Sequence, residues 1–341
     1  MANSDLQTYL FEEIQTQHFE NRSDMMEALM QLFDVRKDAI YRRLRCETML
    51  TPDEMTLLAQ TYNISLDSYI FGKTDALFFT FNPFIKRVKG IEDFLEGIHQ
   101  DVAQLNRLPD VHIYNAWAEI PFFFYMFFPK LFSFKMYVYG RTIWQIDYLQ
   151  NRPFDFDILT TPVVQKAKEI LTLYRNIPTT ELWSLNIMDN TLNQIEYHAN
   201  GSGFKNAKDA LVLCQDMTEL ANHMEAMAVH AKKFALGVKP EGSSGGGFTM
   251  YHNEMIYTNN TIFVTSSAGR AIYTTYGNPN FLKTTDERMC DYTAEWFDSV
   301  VSKSLDMQNE RGRQYFFDRL RKRIDYVRIR IEKSLIEEGD R

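Results

Sequence analysis

From residue 6 to residue 73, apolar side chains recur at intervals of three and four, the period of short amphipathic helices. Leu6, Leu10 and Ile14, joined by Phe11, stripe a first helix. Met26, Leu29, Met30 and Phe33 form the inner face of a second over residues 24–33, with Ser23 placed to cap it and Glu27 near its first turn. Asp34-Val35 can make a tight turn, and a third helix follows within residues 35–48, anchored to the core by Ile40 and Leu44. Thr51-Pro52-Asp53-Glu54 opens a fourth, with a capping hydroxyl, a proline in the first turn and acids behind it. Met55, Leu58, Ala59 and Tyr62 continue its buried side, and Ser65-Leu66-Asp67 starts a last short helix ending near Gly72.

Beyond about residue 76 the pattern changes. Residues 77–81 are a dense apolar run that reads as a buried strand, residues 90–105 as an amphipathic helix and residues 111–117 as a second strand. Residues 121–128 fit either element. Residues 131–139 alternate Leu131, Phe132, Phe134, Met136 and Val138, which predicts a third strand, and residues 161–174 predict a helix with Pro162 at its start. Residues 187–236 read mostly as helix. Residues 248–276 read as short strands joined by turns at His252-Asn253, Asn259-Asn260 and Ala268-Gly269. Thr284-Thr285-Asp286-Glu287 caps another helix, and a charged helix closes the chain over residues 307–337. Strands alternating with helices predict a large α/β (or α+β) domain over residues 76–341, preceded by an all-α domain over residues 1–75.

Composition narrows this picture. A chain of 341 residues with 45% hydrophobic and 14% aromatic content builds real cores. A net charge of −8 excludes a surface coated all over for nucleic acid but leaves room for one basic face. Cys46, Cys214 and Cys290 lie far apart, so neither a disulfide framework nor a zinc site is expected, and a reducing, cytoplasmic setting is. No signal peptide is read at the N-terminus, and Pro121, Pro129, Lys130 and Lys135 break the greasiest stretch short of a membrane span.

The basic face is the third helix, which carries Arg36, Lys37, Arg42, Arg43 and Arg45. A short apolar helix, a sharp turn and a basic helix form the pattern that sets side chains into a DNA major groove. Residues 24–71 resemble the lambda-repressor-like (XRE/Cro-C1) helix-turn-helix fold. Val35 resembles the residue that closes the turn, and Arg36-Lys37-Asp38-Ala39-Ile40-Tyr41-Arg42 the start of the recognition helix. Met55-Thr-Leu-Leu-Ala-Gln-Thr-Tyr-Asn-Ile-Ser-Leu-Asp is similar to the family's fourth-helix ending. Leu44-Arg45-Cys46 departs from the usual Glu-x-Gly, and Tyr41 is bulkier than the usual residue. The resemblance implies that Arg36, Lys37, Asp38 and Tyr41 face bases, that Arg42 or Arg45 faces phosphate, and that Arg43 belongs to the same DNA-binding set.

Other motifs point to less. Gly242-Ser-Ser-Gly-Gly-Gly lacks the Gly-Lys-Ser/Thr of a phosphate-cradling loop and reads as a flexible connector. His230-Ala-Lys232 has no acid at the spacing a His-x-Lys catalytic motif needs. His223 and His230 have no third ligand and read as surface residues. The aromatics of residues 122–139 suit a core, or the lining of an apolar ligand pocket. The last helix reads as docked on the fold, with pairing of two copies as a special case.

The expectation is therefore a non-enzymatic transcriptional regulator that binds double-stranded DNA as a homodimer, with a large domain that senses a small molecule, dimerises, or both. No cofactor, metal or membrane partner is expected. Two alternatives stay open: an enzyme-like nucleotide- or small-molecule-binding domain with autoregulatory DNA binding, and a protein-interaction adaptor.

Overall fold

The computed structural model describes residues 2–62, 64, 66, 69, 76–82, 88–254, 260–277 and 279–339. Ser65, Asp67 and Gly72, the marks of the expected fifth short helix, lie outside the described residues, as does Asn259 of the expected Asn259-Asn260 turn. The chain divides into two compact units, Met1–Phe78 and Phe79–Arg341.

The first unit is helical: α1 (Ala2–His18), α2 (Arg22–Phe33), α3 (Lys37–Leu44) and α4 (Pro52–Thr61). Its core holds Leu10, Ile14, Leu29, Ile40 and Leu58, each wholly removed from solvent, so the three-and-four spacing marks the inward faces. The expected cap of α4 is present in both halves. Thr51 Oγ1 accepts from the Glu54 N–H at 3.2 Å, and Glu54 Oε2 accepts from the Thr51 N–H at 2.9 Å. The cap of α2 differs from expectation: Asn21, not Ser23, accepts from the Asp24 N–H at 3.0 Å. Asn21 has the extended backbone a cap requires, while Ser23 already lies in the first turn.

The second unit is a mixed α/β structure around an eight-stranded sheet of order β1-β7-β6-β5-β2-β3-β4-β8. Strands β2 (His112–Trp117), β3 (Thr179–Trp183) and β4 (Phe248–His252) are parallel. Helices α5 (Ile91–Leu105), α6 (Phe122–Tyr125), α7 (Pro129–Thr142), α8 (Asp147–Gln150), α9 (Thr161–Asn176), α10 (Asp189–Asn200) and α11 (Asp209–His230) precede or connect them. Strands β5 (Thr261–Ser266), β6 (Gly269–Thr275) and β7 (Phe281–Thr284) form an antiparallel meander on β2, with β1 (Thr80–Phe81) outside it. After α12 (Glu287–Val301), β8 (Leu305–Asp306) edges β4, and α13 (Glu310–Gly339) ends the chain. One sheet face carries Ile113, Trp117, Trp183, Phe248 and Met250 into the large helical core. The other carries Ala116, Leu182, Phe263 and Ile272 onto Cys290 and Phe297 of α12.

Three expectations are corrected. Residues 131–139 are helix, not strand. Every residue from Leu131 to Gly140 is buried, so the helix has no polar side to reveal its period, and Pro129 sits at its start. Residues 77–81 are not a buried strand: Leu77, Phe78 and Phe79 are 37–40% exposed, and only Thr80–Phe81 pairs, at the sheet edge. Strands β4 and β5 are not neighbours, because β2 and β3 lie between them. The β5–β6 hairpin at Ala268-Gly269 forms as expected.

Candidate nucleic-acid interface

The turn after α2 depends on one residue in the left-handed region. Asp34 takes φ 52° and ψ 47°, and its N–H and that of Val35 (3.2 Å) both donate to the Met30 carbonyl. Asp tolerates this conformation better than most residues. The chain then extends through Arg36 (φ −74°, ψ 158°) and enters α3.

Ile40 pins α3 from below, and the turn fixes its start. Arg36, Lys37, Asp38, Tyr41, Arg42 and Arg45 are consequently exposed together. The Lys37 ammonium and the Arg45 guanidinium each lie 5.8 Å from the Tyr41 ring centre, so an aromatic plate carries a cation one turn before it and one turn after. A cleft of about 310 Å³ between α2 and α3 opens beside this face, lined by Arg22, Ser23, Met26, Glu27, Lys37 and Tyr41 among others.

Arg43, the seventh residue of the expected set, faces the other way. It donates to Glu54 Oε1 at 2.6 Å and to the Ala39 carbonyl at 3.2 Å, and its guanidinium lies 5.8 Å from the Phe33 ring centre. Only 15% of its side chain is exposed. Burial alone would raise the Glu54 carboxyl, but hydrogen bonds from Arg43 and Thr51 hold it below its ordinary value. Arg43 therefore joins α3 to α4.

The exit from α3 rests on a residue that sequence reasoning missed. Gln7 of α1 is wholly buried, donates to the carbonyls of Arg43 (2.6 Å) and Thr48 (3.0 Å) and accepts from the Leu50 N–H (2.7 Å). An amide that gives and receives in one plane suits a backbone loop leaving a helix. The signal available in the sequence was a polar residue on the same stripe as Leu10 and Ile14. Cys46, at the position where Glu-x-Gly would place glycine, is left-handed at φ 55°. The backbone there takes the left-handed conformation that glycine favours, with a cysteine in it.

His223 is buried against Phe127, with Nε2 3.2 Å from the Phe234 carbonyl, and burial pulls it down to about 4; His230 is exposed. The expectation that both are surface residues fails for His223. The glycine loop is wedged in place: a side chain on Gly245 would lie 1.9 Å from the Lys233 carbonyl, and one on Gly246 2.6 Å from the Ile177 backbone. Close backbone packing explains those glycines. The aromatics of residues 122–139 fill the core of the second unit. Among the described residues no group of three or more His, Cys, Asp or Glu could hold a metal ion, and no helix is long and apolar enough to cross a membrane. Comparison of the chain with protein-family models, with curated proteins and with solved structures gave no match in any of the three.

Proposed function

We propose that the first unit is a helix-turn-helix module and that the protein is a sequence-specific DNA-binding transcriptional regulator. The observation that carries the reading is the composition of one surface: six of the seven expected side chains stand exposed on α3 and the residues that flank it, while Ile40 and Arg43 fix the helix from beneath. Arg36 and Lys37 suit guanine O6 and N7, Asp38 suits the cytosine amino group, and the Tyr41 ring suits a thymine methyl. Arg42 and Arg45, further along the helix, suit phosphate. A unit with so few reading groups needs a second copy on a second half-site about one helical turn away to reach useful specificity.

Binding of the full chain to mixed-sequence duplex at several salt concentrations tests the reading. Arg42→Ala and Arg45→Ala each lower the slope of log affinity against log salt by about one. Salt-independent binding, or equal binding by an Arg36→Ala/Arg42→Ala/Arg45→Ala variant, overturns it. Arg43 is left in place because its loss would disturb the fold.

A further inference from the structure

Between α11 and β4 the chain runs without helix or strand over residues 231–247, and much of that segment is exposed. Lys233, within it, is wholly buried. A few backbone bonds hold the segment down: the Lys233 N–H donates to the Gly246 carbonyl at 3.0 Å, Gly246 to Arg175 at 2.7 Å and Phe248 to Ala231 at 3.0 Å. Ala231, which ends α11, stands in the left-handed region at φ 49°, a strain for a residue with a side chain. Exposed backbone, few bonds and a strained residue mark a segment that opens at lower cost than the sheet beneath it.

The Lys233 side chain runs inward. Nζ donates to the Tyr174 carbonyl at 3.3 Å and lies 4.0 Å from the Tyr174 ring centre, and among the described residues no carboxylate pairs with it directly. Glu181 attracts it from a distance, but burial outweighs that attraction and pulls the ammonium from 10.5 down to about 7. The groups around it are Glu181 on β3, Tyr174 and Arg175 on α9, His112 on β2 and His223 on α11, while Lys232 turns away to the Ser243 carbonyl. Burial lowers both histidines and raises Tyr174, so none of these three changes charge between about 7 and 10. Arg175 stays a cation throughout.

We propose that Lys233 is a proton-operated latch: as a neutral amine it closes residues 231–247 on the sheet, and proton uptake releases the segment and carries the ammonium into water. An open segment restores the ordinary value of Lys233. Between about 7 and 10 the open form therefore binds one proton more than the closed form. The closed form gains stability as pH rises across that window and loses it as pH falls through about 7. Glu181 works in the opposite sense, because burial raises it. Asn115, Trp117, Trp183 and Tyr174 all donate to its carboxylate and favour the anion, which leaves Lys233 to set the slope.

Amide hydrogen exchange of the full chain from about pH 7 to 9, corrected for the intrinsic rate, tests the latch. The N–H groups of Lys233, Gly246 and Phe248 open more often than those of the β5–β6 ladder, with an opening constant that falls about tenfold per pH unit. In Lys233→Met that dependence on pH disappears. Side-chain NMR of the wild type, which needs no variant to fold, shows the lysine in contact with the Tyr174 ring turning from ammonium to amine over the same range. Overturning results are an opening constant indifferent to pH, equal protection of segment and ladder, an ammonium that persists at about pH 9, or a slope that survives Lys233→Met. No DNA is present, so failure here leaves the reading of α3 standing.

Discussion

On α3 and at its two ends, Arg36, Lys37, Arg42 and Arg45 stand in solvent, whereas Lys135 and Lys233 of the large unit are wholly buried. Lys135 Nζ donates to Gln194 Oε1 at 2.9 Å, lies 3.9 Å from Glu119 and sits 5.1 and 5.0 Å from the ring centres of Tyr125 and Tyr139. Lys233 Nζ lies 4.0 Å from the Tyr174 ring centre and donates to the Tyr174 carbonyl at 3.3 Å. Burial pulls it down to about 7, against the attraction of Glu181. The buried pair is taken up by its neighbours and holds the interior together. The exposed ones are held by little of the protein: Arg45 lies 3.7 Å from Glu47, a surface pair that water screens. A basic residue in this chain therefore says little about function until its surroundings are known, and Arg43 shows that the distinction can turn on one position along a helix.

The largest expected effect comes from breaking the buried side of the comparison. Glu181 is wholly buried and accepts from Asn115 Nδ2 (2.9 Å), Trp117 Nε1 (2.8 Å), Trp183 Nε1 (3.3 Å) and the Tyr174 hydroxyl (3.4 Å). Glu181→Leu strands these donors and leaves Lys233 without its counter-charge, costing about 3–5 kcal/mol. Denaturant unfolding of the large unit checks this, and a loss below about 1 kcal/mol counts against a structural role for the cluster.

Next comes Gln7→Leu, which removes three hydrogen bonds to the α3 exit and costs about 2–4 kcal/mol. Amide hydrogen exchange at residues 43–50 reports it, and unchanged protection there contradicts the assigned role. Third is the contrast within α3. Arg43→Ala loses about 1–2 kcal/mol with its ion pair, while Arg42→Ala leaves the melting temperature where it is and weakens duplex binding. If the two behave alike, the division between inward and outward cations fails. The smallest effect is a gain: Cys46→Gly relieves the left-handed strain and stabilises the first unit by about 1 kcal/mol. A destabilised Cys46→Gly protein would mean that packing of the cysteine outweighs backbone strain.

Most local determinants were legible in the sequence, although the cap of α2 fell on Asn21, two residues before the expected Ser23. The Thr51–Glu54 cap spans four residues, and Ile40 as the anchor of α3 follows from helical period alone. What was hidden depends on distant partners. Arg43 turns inward because Glu54, eleven positions on, waits for it, and Gln7 acts on a loop some forty positions away. The α7 stretch hid its period because all its sides are buried, and β4 hid its neighbours because its strand partner Thr179–Trp183 is far back in the chain. Exposed Arg42 and inward Arg43 look the same in a sequence.

Selection from a pool of random duplexes at near-physiological salt, run with the wild type beside the Arg36→Ala/Arg42→Ala/Arg45→Ala variant, tests the central claim most directly. The account predicts one enriched sequence, repeated with two-fold symmetry and lost in the variant. Equal enrichment by both proteins, or none by the wild type, would contradict the assignment of the exposed face of α3 to DNA.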